Sequence, residues 1–255
     1  MLKSTIKKML YQFGYGVCRA DELSGSVRAK MIGNHGIQTV IDVGANVGGY
    51  GAELREFGFS GKIISFEPTT QAYGKLISLA QHDPDWIVVK AAVGETNGEV
   101  TIHVAANDAR SSSLLPMLKL HQECAPDAKY VSTEIVPLKT LDAAVNGIVS
   151  TGQKVLLKID TQGYEHMVLR GASAVLPQVE LIECELSLVP LYDGQLLFRQ
   201  MIELLKGLGF EPVRFAPGFI DAQTGYSLQL DAIFSKSLQV TRDGCIKSQN
   251  RLEIQ

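Results

Sequence analysis

Cysteine is scarce in this chain. The 255 residues hold four, Cys18, Cys124, Cys184 and Cys245, and no two form a C-x-x-C pair. That spacing argues against a structural zinc site and against a disulfide framework. Scattered thiols suit a reducing cytoplasm, and Cys184, inside an apolar run, reads as buried. Excess charge of one sign is also missing. The formal net charge is −3, so the basic footprint of a nucleic-acid binder is absent and no nucleic-acid partner is expected. No run of 18 apolar residues occurs, so no transmembrane helix is expected. The N-terminus lacks an apolar h-region with a small-residue cleavage site, which predicts no signal peptide and a cytoplasmic protein. Repeats, low-complexity tracts and clear linkers are lacking too.

What is there is ordinary globular material. Apolar residues make up 45% and charged residues 20%, enough for a sizeable core. The length fits one large domain. We divide the chain into an N-terminal helical extension (1–36), one catalytic-size domain (37–236) and a polar tail (237–255). The first eleven residues alternate Lys3, Lys7 and Lys8 with Leu2, Ile6, Met9 and Leu10. They read as a helix packed on the domain, or as a weak membrane-surface foot.

Thr39-Val-Ile-Asp-Val43 predicts a buried strand. A helix to about Phe57 follows, then a second strand at Lys62–Phe66. Thr69 is a plausible N-cap for a helix to about Gln81, and Trp86–Lys90 predicts a third strand. This alternation argues for a parallel sheet with right-handed crossovers. Residues 94–136 break the rhythm: Val100–Val104 alternates like an edge strand, 107–113 is a polar loop, and 114–130 reads as a helix or lid. A second regular half follows. It has strands at Val155–Asp160 and Val179–Glu185, helices at Gly163–Ala174 and Gln195–Leu208, and two closing antiparallel strands near Phe210–Phe215 and Leu228–Phe234.

The first chemical signal is Asp42-Val-Gly44-Ala-Asn46-Val-Gly48-Gly49, where a strand passes into a helix. Glycine there permits a sharp turn and close approach of a ligand to the backbone. The spacing is neither the G-x-G-x-x-G of dinucleotide binders nor a Walker loop. Glu67 ends the next strand, where a carboxylate can accept both ribose hydroxyls. A glycine-lined, acidic site suits a ligand without phosphates that carries cationic sulfonium and ammonium groups, such as S-adenosylmethionine. NAD or a nucleotide is the competing ligand, and a tight turn beside a solvated acid is the bland alternative.

Two stretches carry a family likeness. Val40-Ile-Asp-Val-Gly-Ala-Asn-Val-Gly-Gly-Tyr50 resembles the nucleotide loop of the FkbM-type methyltransferases. Leu157-Lys-Ile-Asp-Thr-Gln-Gly-Tyr-Glu-His-Met-Val-Leu-Arg-Gly-Ala172 resembles their second signature, K-x-D-x-E-G-x-E-x-x-V-L-x-G-A. Ser65–Pro68, Ala91–Gly94, Ser111–Leu114 and Thr140–Asp142 extend the likeness over about residues 38–235. The resemblance implies an α/β, Rossmann-like class I methyltransferase fold: a mostly parallel seven-stranded sheet with an antiparallel last strand. It implies S-adenosylmethionine as donor and, most often, a hydroxyl acceptor on a macrolide, sugar or glycan. The donor-binding candidates are Asp42, Gly44, Asn46, Gly48, Glu67 and Ala92. The chain departs from the signature at Gln162, where the family often has glutamate.

Methyl transfer to oxygen needs a positioned acceptor and help in removing its proton. Asp160 is the first candidate, at the carboxyl end of a strand. Glu185 ends the neighbouring strand, about 4.8 Å away in an ideal sheet, so the two carboxylates can share a pocket. They can hold a proton, a divalent cation or sugar hydroxyls. A helix N-cap for Asp160 and a surface ion pair for Glu185 are the structural alternatives. Lys158 shares a strand face with Asp160 and needs a partner, Glu183 or Asp160; it serves either substrate or structure. Glu165 reads mainly as a helix-dipole partner. His166 reads as solvent-facing, with a general base or substrate contact as its functional alternative. Ser112 and Ser113, beside Asp108 and Arg110 in the polar loop, are candidate substrate contacts. His103 and His121 are too loosely spaced for a metal site. An N-methyltransferase, a non-catalytic S-adenosylmethionine-binding protein and an NAD-dependent oxidoreductase compete with the O-methyltransferase reading. The last lacks a Tyr-x-x-x-Lys pair.

Overall fold

Period-two alternation gives each central strand two different faces, and both are covered. The computed structural model describes residues 24–236, together with Gln12 and two short paired strands at 239–240 and 246–247. Helix α1 (Ser24–His35) precedes β1 (Thr39–Val43), α2 (Gly49–Glu56), β2 (Lys62–Phe66), α3 (Thr70–Ala80) and β3 (Trp86–Val89). The second half supplies α5 (Leu141–Val145), β7 (Val155–Ile159), α6 (Glu165–Arg170), β8 (Val179–Ser187), α7 (Phe198–Gly207), β9 (Glu211–Pro217) and β10 (Gln229–Ser235). These strands form one seven-stranded sheet in the order β3-β2-β1-β7-β8-β10-β9. The first five pair in parallel, and β10 runs antiparallel to both β8 and β9. This is the sheet expected from the sequence, with the one reversed strand formed by the last strand in the chain order of that sheet.

Val40, Ile63, Leu156 and Leu181 face Ile32 of α1, Leu54 of α2 and Leu76 of α3. Ile41, Ile64, Leu157 and Ile182 face Leu141 of α5, Val168 of α6 and Leu205 of α7. The result is a three-layer sandwich in which each layer buries the apolar stripe of the next. On the α1–α3 side a polar row interrupts the apolar face. Asp42 lies opposite Ser65 and Lys158, and Lys158 lies opposite Glu183. Arg28 of α1 closes this row, donating to Glu183 from Nε at 2.8 Å and from Nη2 at 2.7 Å. It also pairs with Glu53 and lies over the Tyr50 ring, 4.5 Å from its centroid. Charges this deep persist only when paired, and each here has a partner.

The irregular middle resolves into an unexpected second sheet. β4 (Ala92–Val93), β5 (Gly98–Ala105) and β6 (Tyr130–Lys139) form it in the order β4-β6-β5. Between β5 and β6 the chain makes the polar loop, a short helix α4 (Lys119–Cys124) and a 3₁₀ turn at Pro126–Ala128. The expected helix over 163–174 is shorter, because 3₁₀-like turns take over after Arg170. Among the described residues, no helix is long and apolar enough to cross a membrane. The amphipathic first eleven residues, Cys18 and Cys245 lie outside the described residues.

Candidate active site

Sheet order reverses between β1 and β7, and a crevice opens there at the carboxyl ends of the strands, as open α/β sheets dictate. The cavity holds about 450 Å³, within the ~300–1,000 Å³ usual for small-molecule sites. Gly44, Asn46, Glu67 and Ala91–Val93 line one part of it; Asp160, Gln162, Glu185 and Gln229 line another.

The β1–α2 turn builds the first part. Gly44 has φ +80, and a Cβ there would lie 1.8 Å from the backbone oxygen of Asp160. Glycine is what lets β1 and β7 converge at this point. Gly48 also has positive φ, but it serves packing: a Cβ would lie 2.7 Å from Leu76 Cδ1, and the residue does not line the cavity. Glu67 is 5% exposed. Its Oε1 accepts Thr69 N–H at 2.8 Å and the Thr69 hydroxyl at 2.6 Å, while Oε2 accepts only Asn46 N–H at 3.0 Å. The Thr69 hydroxyl therefore binds Glu67 and does not cap α3. Burial raises the Glu67 pKa, with the Thr69 and Asn46 donors opposing it. Asp42 is fully buried and absent from the cavity wall. It sits 3.1 Å from Lys158 Nζ, so its place is beneath the site.

Lys158 takes the acids on either side. Its ammonium lies 3.1 Å from Asp42 and 3.5 Å from Asp160, and donates to Gly44 O at 3.2 Å. Burial works against the ammonium, but Asp42 and Asp160 outweigh it and hold its pKa above the usual lysine value. The partners expected from sequence were Glu183 or Asp160; Glu183 is instead taken by Arg28 and the Tyr50 hydroxyl.

Asp160 and Glu185 reach the same cavity, and one amide joins them. Gln162 Nε2 donates to Asp160 Oδ1 at 2.8 Å and to Glu185 Oε2 at 3.1 Å. Its Oε1 accepts the Tyr192 hydroxyl at 2.7 Å. Gln229 Nε2 adds a second donor to Glu185 Oε2 at 2.6 Å. Burial first, then the negative fields of Asp160, Glu165 and Asp231, push the Glu185 pKa well above the carboxylate range. Asp160 caps no helix. The turn before α6 is held by Glu165, whose Oε1 accepts Thr161 N–H, the Thr161 hydroxyl and Gly163 N–H at 3.0, 3.1 and 3.1 Å.

The remaining candidates divide. Ser112 and Ser113 line the cavity, yet their hydroxyls serve backbone: Ser112 Oγ accepts Ala105 N–H, and Ser113 Oγ donates to Gln162 O. His166 is 5% exposed and off the cavity wall. The solvent-facing reading is corrected, because α6 packs this face inward. Sequence reasoning missed Tyr192, Gln229, His121 and Phe219. Only folding brings them to the site: Tyr192 and Phe219 from a satellite cluster around Met117, Leu191 and Leu228, His121 from α4 and Gln229 from the start of β10. Among the described residues, no group of three or more His, Cys, Asp or Glu side chains is arranged to hold a metal.

The "Methyltransferase FkbM domain" model matches residues 42–212. The chain belongs to the FkbM methyltransferase domain family. With that family it is an S-adenosylmethionine-dependent methyltransferase. No curated protein matches this FkbM member significantly. Among solved structures it is similar to an rRNA methylase from Streptococcus thermophilus, at 13% identity over 87% of this chain and 99% of that one, with TM-score 0.46. It is also similar to magnesium protoporphyrin IX methyltransferase from Synechocystis PCC 6803 with bound SAM, at 11% identity over 92% and 97%, TM-score 0.45. A third is the Burkholderia thailandensis 1,6-didemethyltoxoflavin-N1-methyltransferase, at 15% identity over 92% and 87%, TM-score 0.41.

The cavity's own chemistry fits that donor. Glu67 lines the cavity, and its Oε2, which accepts Asn46 N–H, keeps a second lone pair for a further donor. The acidic side chains on the wall are Glu67, Asp127, Asp160 and Glu185, against one guanidinium, Arg110. A net acidic wall favours a cationic ligand and opposes a pyrophosphate.

Proposed function

We propose that this FkbM methyltransferase methylates a hydroxyl on an uncharged sugar, glycan or polyketide-like small molecule. The observation that carries this reading is the pair Asp160–Glu185, bridged by Gln162 on the wall of a cavity whose opposite part suits the donor. S-adenosylmethionine, when bound, supplies an activated methyl group on a cationic sulfur. Gly44, Asn46, Glu67 and Ala92 hold it, with Glu67 accepting from ribose hydroxyls. Glu185 offers the proton acceptor. Both of its amide donors sit on Oε2, which leaves Oε1 for the acceptor hydroxyl, and its carboxylate form, disfavoured by burial and by neighbouring acids, draws strongly on a proton. Asp160, 3.5 Å from the Lys158 ammonium, orients the acceptor. The acidic wall also disfavours phosphorylated acceptors and RNA.

The test begins with calorimetric titration by S-adenosylmethionine, S-adenosylhomocysteine and NAD. Saturable binding of the first two and none of NAD is expected, and Glu67→Ala should weaken it about tenfold or more for a lost charged hydrogen-bond acceptor. Product S-adenosylhomocysteine is then followed with neutral sugars, macrolactone alcohols, amines, phosphorylated sugars and RNA. Glu185→Gln and Asp160→Asn should each cut turnover by about 10² or more with donor affinity kept. Turnover on amines alone, or on RNA, would overturn the hydroxyl reading; donor binding without turnover on any acceptor would point to a binding protein.

A further inference from the structure

Gln162 occupies a conformation that side chains avoid. Its φ is +56, in the left-handed region that costs a non-glycine residue about 1–2 kcal/mol. Something must hold it there, and its side chain shows what. The amide nitrogen reaches two carboxyl groups, Asp160 just past the end of β7 and Glu185 on the adjacent β8. The amide oxygen takes the proton of Tyr192, a residue 1% exposed. Tyr192 in turn lies 3.2 Å from Ser111 O, and the Gln162 carbonyl accepts the Ser113 hydroxyl at 2.7 Å. The polar loop, the satellite cluster and both strands therefore meet at one residue.

The orientation of this amide is fixed by chemistry. Turned over, its oxygen would face two acidic side chains and its nitrogen would face the Tyr192 hydroxyl, losing two donor contacts at once. The two carboxyls therefore set the amide's orientation, and the Tyr192 hydroxyl, within reach of both Gln162 Oε1 and Ser111 O, buttresses its oxygen end.

We propose that Gln162, buttressed by Tyr192, is the positioning residue of the reaction: it fixes the spacing of Asp160 and Glu185 and confines the donors on Glu185 to Oε2, so that Oε1 faces the acceptor. The catalytic half of this statement rests on the methyl-transfer reading above; the electrostatic half stands without it. Glu185 is surrounded by Asp160 and Lys158 from β7, Glu165 from α6 and Asp231 from β10, with Gln162 and Gln229 as neutral donors. In that setting an amide donor favours the charged form of Glu185, and a further carboxylate at position 162 disfavours it.

Two measurements test the proposal. Carboxyl-¹³C glutamate labelling, with Glu185 assigned by the signal lost in Glu185→Gln, reads its titration directly and requires no turnover. Gln162→Glu should move the Glu185 midpoint up by about one pH unit or more, and Gln162→Leu by less. Gln162→Asn suits the left-handed backbone but has too short an arm, so it should behave like the leucine variant and covers the case in which that variant does not fold. In turnover assays, Gln162→Leu and Tyr192→Phe should lower kcat by about 10–100-fold with KM for S-adenosylmethionine unchanged, and the acid limb of the Gln162→Glu profile should shift in step with the midpoint. A Glu185 midpoint unmoved in Gln162→Glu and Gln162→Asn would overturn the proposal. So would wild-type kcat in Gln162→Asn and Tyr192→Phe. A wild-type protein that binds no S-adenosylmethionine would sink the methyl-transfer reading while the titration still decides whether Gln162 controls Glu185.

Discussion

Gly44→Ala tests the geometry on which the whole site depends. An alanine Cβ would lie 1.8 Å from the Asp160 oxygen and 2.8 Å from its carbonyl carbon. Both are backbone atoms, so no side chain can swing away; the ends of β1 and β7 must part. The backbone φ of +80 adds about 1–2 kcal/mol for any L side chain, and the overpacking adds about 1–3 kcal/mol. The sum is about 2–5 kcal/mol, or about 4–20 °C in Tm for a domain of this size. Differential scanning calorimetry and urea titration read the loss, and calorimetric titration reads the donor affinity of what remains folded. Gly74→Ala is the control. It sits exposed inside α3 with nothing within 4 Å of the added Cβ, so it should stabilise by about 0.5–1 kcal/mol. A Gly44→Ala protein with wild-type Tm and donor affinity would refute the argument that glycine is required by the approach of the two strands.

Other consequences follow from the buried groups. Arg28→Ala leaves Glu183 buried without its guanidinium and with the Tyr50 hydroxyl as remaining donor, so it should cost about 3–5 kcal/mol; adding Glu183→Gln should restore part of that loss in a double-mutant cycle by urea unfolding, and full additivity would show the pair to be uncoupled. His121 is 3% exposed between Tyr192 and Phe219, and burial lowers its pKa below the ordinary 6.5, with Asp127 opposing. The unfolded chain therefore takes the proton first as pH falls below about 6.5, and stability is lost from there down through the folded value. Tm measured from about pH 7.5 to about pH 5 should fall less steeply in His121→Leu; an identical slope would remove His121 from the acid response.

Local pattern sufficed wherever neighbours in sequence are neighbours in space. Thr39–Val43 and Val155–Ile159 are strands because β-branched and apolar residues dominate them, broken only by the paired Asp42 and Lys158, where both faces are covered. The glycine turn after β1 and the acid after β2 fall at the strand ends for the same local reason, and so does Asp160, whereas Glu185 lies inside β8, which runs on to Ser187. The family signature reached the methyltransferase class from these stretches alone. Tertiary structure decided the rest. Asp42 and Glu67 look alike as acids at the ends of adjacent strands. Pleat and pairing turn Asp42 under the site toward Lys158, while Glu67 is left facing the cavity. His166 is hidden by the packing of α6, which no spacing of polar residues announces. Gln162 looked like a lost charge in a motif. It is the joint of the site because Tyr192, 30 positions away, Glu185 and Ser113 arrive from three different segments. Hydrogen bonds across such distances depend on where the sheet and its satellite cluster set each backbone, and a one-dimensional pattern holds no record of that.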